Sequence, residues 1–402
     1  MTDAADVVIV GGGVIGSAVA FELVQRQMRV VLIDKGLPGR ATSASAGGLW
    51  PLGEAVGLGC GVIYQKSRSN EEGAEESHPG VLPQEFQHFL VRSNSLFPEL
   101  ALRLRECSGV DIEYEPGTGL IFLIYEEAER HWVKELRASV PMADGVELLT
   151  PAEVHRIEPH LTSDLLGAAL LSGEYQVNPM ALAEGLKRAA IQGGAEFRPD
   201  TIVRHLERRG DRITGVVLDN DRISCHTVVN AAGAWAGQLA ASVDIDLPII
   251  PVRGQVVLTV GLPSTLRGCL STSACYLAQK AHGEVLIGST TEKVGFDVSV
   301  TSQAITSMCR GAVRAVPMLR RVGVKRVWAG LRPGTPDELP ILGDVPQVTG
   351  YCNAAGGFRT GIVASPLTGR IVAQSIVGET SDVPLDPYLC KRFSNREDSA
   401  DL

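Results

Sequence analysis

Three glycines near the beginning of the chain have the spacing of a phosphate-binding loop. Gly11, Gly13 and Gly16 follow an apolar run, and Asp34 closes a second apolar run. The first glycine permits a tight turn, the second lets a pyrophosphate approach the backbone, and the third lets a helix starting at Val14 pack closely on the strand. The acidic side chain accepts hydrogen bonds from ribose hydroxyls. This order predicts a dinucleotide-binding βαβ unit, which FAD and NAD both use; a glycine-rich turn without a nucleotide is the less favoured alternative.

Small residues recur in three later segments. They occupy positions 41–48, where they cannot fill a core but let N–H and hydroxyl groups approach a flat ligand closely. We therefore predict a ligand-lining loop there, with a flexible linker as the alternative. An apolar run at 225–230 leads into Ala-Ala-Gly-Ala-Trp at 231–235, and glycines precede a helical pattern that starts near 362. Both segments predict further approaches of the backbone to the same cofactor.

The composition limits the class of protein. The 402 residues carry a net charge of −9 at pH 7, with 45% hydrophobic and 21% charged residues. These values are typical of a folded globular chain of two or three domains and argue against nucleic-acid binding. No apolar stretch reaches the roughly 18 residues of a transmembrane helix, and the first residues resemble a strand more than a cleavable signal peptide. The eight cysteines form no C-x-x-C pair and the histidines have no metal-ligand spacing, so we predict a cytoplasmic chain without a metal site.

The periodicity of apolar residues places the remaining elements. Helices are predicted over 14–27, 86–106, 126–139, 151–157, 181–192, 301–316 and 362–376. Strands are predicted over 7–10, 29–33, 111–115, 120–125, 202–206, 213–218, 225–230, 249–260, 275–279 and 284–288. The helix at 151–157 begins with an N-cap signature, in which Thr150 is followed by Pro151 and Glu153. Residues 65–80 are polar, acidic and free of periodicity, which predicts a solvated or mobile excursion.

Five motifs occur in order along the chain, and together they are more specific than any one of them. They are VVIVGGGVIGSAVA at 7–20, SASAGG at 43–48, VVNAAGAWAG at 228–237, WAGLRPGTPDELPILG at 328–343 and GGFRTGIVASPLTG at 356–369. With these motifs the chain resembles the D-amino acid oxidase family of FAD enzymes, in the branch that contains glycine oxidase and sarcosine oxidase. The resemblance covers nearly the whole chain.

The resemblance implies an α/β (α+β) fold, in which a Rossmann-like FAD-binding domain is interleaved with a mixed-sheet substrate domain. We predict that 1–84, 148–240 and 326–402 form the FAD-binding domain, and that 85–147 and 241–325 form the substrate-binding domain. The residues that the resemblance implies for FAD binding are Gly11, Gly13, Val14, Ile15, Gly16, Asp34, Lys35, Thr42, Ser43, Ala46, Gly47, Gly48, Val203, Ala232, Gly233, Trp235, Gly357, Phe358, Arg359, Thr360, Gly361 and Ile362.

The resemblance also implies which residues act on the substrate. The arginine of the GLRP motif binds the substrate carboxylate in this family, and here it is Arg332, which we place in a loop braced by prolines. A planar guanidinium suits a carboxylate, although a surface ion pair with Asp337 or Glu338 is the alternative. Tyr276 is implied to support the same carboxylate, with an ordinary strand aromatic as the alternative. Arg359 is implied to lie near the flavin ring oxygens, where positive charge stabilises the reduced flavin.

Within this branch, the segments 44–64 and 81–86 and QVNP at 176–179 resemble the FAD subunits of bacterial hydrogen cyanide synthases. This resemblance implies a catalytic subunit of a heteromeric dehydrogenase that oxidises glycine to hydrogen cyanide and carbon dioxide, with hydride transfer from the alpha carbon to flavin N5. Alternatives are a D-proline, D-hydroxyproline or opine dehydrogenase subunit, and a glycine or sarcosine oxidase that uses oxygen. A flavin-carrying electron-transfer or structural subunit is an alternative of another class, whereas the C-terminal motif disfavours an NAD-dependent dehydrogenase.

The resemblance to heteromeric enzymes also predicts partners. Besides the small amino-acid substrate, we expect a second flavoprotein subunit and a ferredoxin-like subunit. Any 2Fe-2S cluster belongs to such a partner, because the cysteines of this chain are scattered. An FMN at a subunit interface and peripheral association with the inner face of the cell membrane are further expectations of this kind.

Overall fold

The computed structural model describes residues 5–59 and 81–393. Its first elements are strand β1 (Ala5–Val10), helix α1 (Val14–Val24) and strand β2 (Val30–Ile33). The two strands are parallel, so the predicted βαβ unit is confirmed. Strand β1 is buried on both faces, because Val7 and Ile9 pack in one hydrophobic cluster and Val8 packs in another. This is the burial of a central strand in a parallel sheet.

The rest of the described chain alternates short strands with helices. The further strands are β3 (Gly48–Leu49), β4 (Leu120–Ile124), β5 (Glu147–Leu149), β6 (Gly167–Leu171), β7 (Tyr175–Gln176), β8 (Glu196–Arg198), β9 (Val203–Arg209), β10 (Arg212–Leu218), β11 (Arg222–Asn230), β12 (Ile250–Thr259), β13 (Cys269–Ser271), β14 (Tyr276–Gln279), β15 (Val285–Gly288), β16 (Val324–Gly334), β17 (Ile341–Asp344) and β18 (Tyr351–Ala355). The further α-helices are α2 (Ala41–Ala44), α3 (Pro51–Ala55), α4 (Gln84–Asn94), α5 (Phe97–Ser108), α6 (Glu127–Ser139), α7 (Pro151–Ile157), α8 (Pro179–Gln192), α9 (Ala236–Ala241), α10 (Ser302–Ala315) and α11 (Gly361–Val377).

Strand β1 lies inside a sheet of eight strands. The order along the sheet is β17-β18-β11-β1-β2-β8, and β10 and β9 extend from β11 as an antiparallel meander. The five strands from β18 to β8 are parallel to one another. Because parallel strands end at the same edge of a sheet, the turns that follow β1, β2, β11 and β18 all lie on one side of the molecule.

A second sheet of eight strands has the order β16-β12-β15-β14-β13-β4-β6-β5. Its neighbouring strands are antiparallel, except that β13 and β4 are parallel. Strands β3 and β7 form a separate antiparallel pair. A mostly parallel sheet beside a mixed sheet is the arrangement that the resemblance implied, and the predicted fold class is confirmed.

Helix α7 begins with the N-cap that the sequence predicts. The backbone N–H of Glu153 donates to Thr150 Oγ1 at 3.4 Å, and the backbone N–H of Thr150 donates to Glu153 Oε2 at 2.7 Å. Pro151 stands at the first helical position, where its missing N–H costs no hydrogen bond. This reciprocal pair of hydrogen bonds fixes where the helix begins.

Two predictions about the elements were wrong. The helix predicted over 86–106 is two helices, α4 and α5, because Pro98 cannot donate the N–H that a continuous helix needs at that position. Residues 111–115 do not form a strand: Glu113 has φ +55° and Glu115 makes only one isolated bridge with Gln176. The excursion predicted at 65–80 lies outside the described residues.

Strand pairing in the two sheets leads us to propose other domain boundaries than those predicted from the sequence. Strands β6 and β16 lie in the second sheet. Strand β6 and most of β16 nevertheless fall within 148–240 and 326–402, respectively, which we predicted for the FAD-binding domain. Antiparallel pairing of β6 with β4 and of β16 with β12 holds them there. Helices α4 and α5 instead pack in the hydrophobic cluster of β1 and α11. We therefore propose that β5, β6 and β16 belong to the substrate-binding domain, and that α4 and α5 belong to the FAD-binding domain.

The packing of α1 on α11 depends on Gly369, and this dependence can be tested. A Cβ at Gly369 would lie 2.8 Å from backbone atoms of Ala18. We expect Gly369→Ala to force the helices apart and to lower the free energy of unfolding by about 1–3 kcal/mol, measured by urea denaturation. Gly145→Ala is the control, because nothing lies within 4 Å of a Cβ at Gly145. Equal losses in both variants would contradict this account of the helix contact.

Candidate functional site

A cavity of about 400 Å³ lies at the edge where the parallel strands end. One residue that follows each of four strands lines it: Gly11 after β1, Asp34 after β2, Ala231 after β11 and Gly356 after β18. Ligands of open α/β sheets bind at this edge, outside the carboxyl ends of the strands. The second sheet supplies the opposite wall, through residues of β12, β14 and β16.

The glycine loop approaches its neighbours too closely for side chains. A Cβ at Gly11, whose φ is +113°, would lie 2.2 Å from the carbonyl oxygen of Ala231. A Cβ at Gly16 would lie 1.9 Å from the carbonyl oxygen of Gly11. The backbone of this turn is therefore open toward the cavity, and the N-terminus of α1 faces the same space. This is the cradle that the pyrophosphate of FAD requires.

Two side chains hold this turn in place. Asp34, which is 8% exposed, accepts hydrogen bonds from the backbone N–H of Gly12 at 2.7 Å and of Gly36. Thr42 Oγ1 accepts from the backbone N–H of Val14 at 3.1 Å. The acidic residue that was predicted to bind a ribose therefore also fixes the loop. The donor and acceptor set fits FAD, and these residues would hold its ribose and phosphates.

Most residues predicted for FAD binding line this cavity. They are Gly11, Gly13, Val14, Ile15, Asp34, Lys35, Thr42, Ala46, Gly48, Val203, Ala232, Gly233, Trp235, Gly357, Phe358, Arg359, Gly361 and Ile362.

Four residues of that prediction do not line the cavity but shape the backbone around it. Gly16 allows the close approach of α1 described above. Gly47 has φ +79°, and a Cβ there would lie 2.0 Å from the carbonyl oxygen of Val177. Ser43 donates to the carbonyl oxygen of Arg40, and Thr360 donates to that of Gly357, both at 3.0 Å.

Arg332 lies at the end of the cavity that the second sheet closes. It belongs to strand β16, so its predicted position in a proline-braced loop was wrong; pairing of β16 with β12 holds it instead. Its Nη1 donates to the carbonyl oxygen of Thr290 at 3.0 Å, and its Nη2 donates to Ser289 Oγ. Within the described residues, these neutral partners hold the guanidinium without offsetting its charge.

The alternative of a surface ion pair for Arg332 is rejected. Asp337 pairs with Arg392, with 2.7 Å between Oδ2 and Nε, and Glu338 pairs with Arg359. Across residues 5–59 and 81–393, Arg332 contacts no carboxylate. Tyr276, also predicted for the substrate, lines the same cavity and is 6% exposed. The structure therefore brings Arg332 and Tyr276 together.

Arg359 lines the cavity too, but two carboxylates hold its guanidinium. Its side chain is 4% exposed, with Nη1 2.7 Å from Glu54 Oε2 and Nη2 3.1 Å from Glu338 Oε2. Buried charges of this kind require partners. The predicted position of Arg359 beside the flavin oxygens stays a prediction, and the ion pairs limit how far its side chain can turn.

Glu174, which is buried, and Lys280, which is partly buried, line a second cavity and bind the backbone of segments that line the first. Glu174 Oε1 accepts hydrogen bonds from the N–H groups of Leu52 at 2.7 Å and Gly53 at 3.0 Å, at the first turn of α3. Burial raises the pKa of Glu174 to about 8, and the charge of Glu54 adds to this rise. Lys280 donates to the carbonyl oxygen of Ala46 and ties the small-residue loop to the second sheet; burial lowers its pKa to about 8.

Our sequence analysis missed four residues that shape the substrate end: Trp50, Glu54, Gly254 and Ser289. Trp50 and Glu54 directly follow the small-residue loop, and this position was the available signal. Gly254 and Ser289 become neighbours only through strand pairing in the second sheet, which the periodicity of one strand does not specify.

Within the described ranges, no group of three or more His, Cys, Asp or Glu residues is placed to hold a metal ion. In the same ranges, no helix is long and apolar enough to cross a membrane. The cysteines described by the structure are all free thiols.

Removal of the Arg359 charge tests the buried ion pairs. Arg359→Met leaves Glu54 and Glu338 without their shared partner, so we expect unfolding to become easier by about 3–5 kcal/mol in chemical denaturation. Adding Glu54→Gln to this variant should recover part of the loss. Arg105→Met is the control, since Arg105 forms an exposed pair with Asp111 and should cost less than about 1 kcal/mol. A loss no larger than that of the control would count against the ion pairs.

The raised pKa of Glu174 predicts that the free energy of unfolding depends on pH. Its pKa is raised from 4.5 to about 8 on folding, so the folded chain binds an extra proton between these values. The free energy of unfolding therefore falls as the pH rises through this window. Glu174→Gln stays neutral and should flatten the dependence, measured by urea denaturation across the window. Glu99→Gln, at an exposed helix position, should leave the slope as in the wild type; an unchanged slope in Glu174→Gln would refute the assignment.

Comparison with known proteins agrees with this geometry. The family model described as FAD dependent oxidoreductase (DAO) matches residues 6–375. Hydrogen cyanide synthase subunit HcnC of Pseudomonas aeruginosa is 46% identical over 401 residues, which cover 96% of this chain and 96% of that protein. Glycine oxidase of Geobacillus kaustophilus is 34% identical over 400 residues and 98% of each chain. The crystal structure of glycine oxidase from Geobacillus kaustophilus superposes with a TM-score of 0.83 at 32% identity, covering 96% of this chain and 98% of that chain.

These findings confirm the predicted family, the FAD cofactor and the class of reaction. This chain belongs to the DAO family of FAD-dependent oxidoreductases and is an enzyme that oxidises amino acids.

Proposed function

We propose that this chain is the FAD-binding subunit of a hydrogen cyanide synthase, which oxidises glycine to hydrogen cyanide and carbon dioxide. The observation that carries the proposal is Arg332, whose guanidinium lines the same cavity as the glycine loop and contacts no carboxylate in the described parts of the chain. The 46% identity with a hydrogen cyanide synthase subunit supports this assignment, and the 34% identity with a glycine oxidase supports glycine as the substrate.

Arg332 binds the substrate carboxylate through the planar fork of its guanidinium. Thr290 and Ser289 each accept a hydrogen bond from one terminal nitrogen, so the plane of the guanidinium is set before substrate arrives. Such a fixed charge lowers the entropic cost of orienting a small ligand. FAD, when bound, accepts a hydride from the alpha carbon of the amine. The orientation of the carboxylate therefore decides which hydrogen of the substrate faces the cofactor.

The side chains around Arg332 complete the pocket. We assign Tyr276 to support of the carboxylate, because it lines the cavity on the neighbouring part of the second sheet. Arg359 is a positioning residue for the wall, since its contacts with Glu54 and Glu338 hold α3 against the loop at the start of α11. No acid or base is assigned, because hydride transfer from a neutral amine needs only that the substrate be deprotonated and oriented.

The conversion of glycine to cyanide needs two successive two-electron oxidations and the cleavage of the carbon–carbon bond, which releases carbon dioxide. The electrons must leave to an acceptor. We propose a heteromeric dehydrogenase for this purpose, with a second flavoprotein subunit and a ferredoxin-like subunit that carries any 2Fe-2S cluster. The FMN at a subunit interface, the cytoplasmic location and the peripheral attachment to the inner face of the membrane stay predictions from the sequence.

An anaerobic titration of the purified FAD-loaded chain tests the substrate. Bleaching of the flavin absorbance by glycine, with cyanide formed once an electron acceptor is added, would support the proposal. Bleaching by D-proline or D-hydroxyproline alone would assign the chain to dehydrogenases of cyclic amino acids, and hydrogen peroxide as the main product would indicate an oxidase. Full flavin binding without bleaching by any of them would favour an electron-transfer subunit.

Substitution of Arg332 tests its role in binding. We expect Arg332→Met to weaken binding of glycine roughly 10-fold to 100-fold, because charge-assisted hydrogen bonds to the carboxylate are lost. The measurement is the glycine concentration that half-saturates anaerobic flavin reduction. Arg326→Met is the matched control, because Arg326 lies on the same strand, is exposed and does not line the cavity. Equal weakening in both variants would show that Arg332 does not bind the carboxylate.

A further inference from the structure

Three large side chains wall the substrate end of the cavity, and each of them lies over a glycine. Trp50 lies over Gly48, Tyr276 over Gly288 and Arg332 over Gly254. A Cβ at those glycines would lie 2.6 Å from the indole ring, 2.3 Å from the tyrosine Oη and 2.4 Å from the arginine Nη1, respectively. Each large group therefore occupies space that a side chain at the glycine would take.

Trp50 is the only one of these three that our sequence analysis did not assign to the site. Its indole is 2% exposed and packs edge-on against Tyr276, with ring centroids 5.5 Å apart and the ring planes at 71°. Edge-to-face contact of this kind stabilises both ring orientations. Tyr276 pairs with Gly288, and the next residue, Ser289, accepts a hydrogen bond from Arg332, so the two rings and the arginine line neighbouring parts of the cavity.

The backbone that carries Trp50 is held on its far side. Pro51 begins helix α3 directly after the tryptophan. The N–H groups of the next two residues donate to Glu174, and Glu54 on the same helix pairs with Arg359. The backbone at Trp50 therefore cannot move away from the cavity without breaking buried polar contacts.

We propose that Trp50 is a specificity-determining residue that limits the substrate to amino acids without a bulky group on the alpha carbon. Its indole contacts Tyr276, and both rings line the cavity of the arginine assigned to the carboxylate, so we infer that a substituent on the alpha carbon would meet the indole. This inference rests on the proposed role of Arg332 and extends it: the carboxylate site fixes one end of the substrate, and the aromatic wall decides how large the rest can be. Gly48 is required for this arrangement, because any larger residue there would displace the indole.

The test compares two simple carboxylates, acetate and propionate, which differ by one methyl group on the alpha carbon. Their dissociation constants are measured from the change in flavin absorbance of the FAD-loaded full chain, without any turnover. In the wild type we expect propionate to bind at least about 10-fold more weakly than acetate. In Trp50→Ala this preference should fall to less than about 3-fold, and in Trp50→Phe, which keeps an aromatic wall, it should lie between the two.

Trp132→Phe is the control, because Trp132 is also buried but packs on Phe122 outside the cavity. The preference of this variant for acetate over propionate should match that of the wild type. Should Trp50→Ala fail to fold, Trp50→Phe alone carries the comparison. An acetate preference that is the same in the wild type and in the foldable Trp50 variants would overturn the inference.

Flavin reduction by glycine and by D-alanine is measured in the same proteins. These measurements distinguish a failure of this inference from a failure of the proposed function. If glycine reduces the wild type and the preference for acetate over propionate is unaltered in the variants, Trp50 does not limit the size of the substrate. The proposed function would then still hold. A shifted preference in the variants without any reduction by glycine would support Trp50 as the size limit while rejecting glycine oxidation. The rate of flavin reduction by D-alanine, divided by the rate with glycine, can be compared between Trp50→Ala and the wild type. A higher ratio in Trp50→Ala would support both this inference and the proposed function.

Discussion

The site depends on the close contact between helix α1 and the turn that precedes it. The backbone at Gly16 lies directly against the carbonyl oxygen of Gly11, and Gly11 in turn lies against that of Ala231. These contacts draw the N-terminus of the helix, the end of β1 and the end of β11 to one point. The hydrogen bonds of Asp34 and Thr42 then fix the N–H groups that surround the cavity. A side chain at either glycine would separate these elements and remove the cofactor site.

Charge is distributed unevenly along the wall of the cavity. Arg359 is held between two carboxylates, so that group of three side chains carries a net negative charge when all are ionised. Arg332 has only neutral partners in the described part of the chain and keeps its positive charge. The wall of the cavity therefore presents a positive group at Arg332 and a net negative group around Arg359, and the low dielectric of a buried site strengthens the field of each.

The elements nearest the cofactor were the most predictable from sequence. Gly11, Gly13, Gly16 and Asp34 act through the backbone and within one local unit, so their spacing is enough to identify them. The second sheet was less predictable, because strands such as β6 and β16 are defined by partners far along the chain. For the same reason Arg332 was identified by its motif but was placed in a loop.

Ion pairs and aromatic contacts were beyond the sequence analysis for a further reason. Glu54 and Arg359 are 305 positions apart, and neither residue type nor spacing indicates that they meet. The contact of Trp50 with Tyr276 likewise forms only when the small-residue loop meets the second sheet. Composition and periodicity describe which residues are buried, whereas the choice of partner is set by the complete tertiary structure.

The separation between Glu54 and Arg359 also has a consequence during protein synthesis. The cavity is lined by residues from the first βαβ unit and by the loop that precedes α11, which is synthesised much later than the βαβ unit. Helix α1 packs on α8 and α11 in one hydrophobic cluster, so part of its apolar face stays uncovered until α11 has been synthesised. Contacts between such distant segments form slowly and leave intermediates prone to aggregation. A complete FAD site therefore forms only after synthesis has passed the start of α11, because residues up to Ile362 line the cavity.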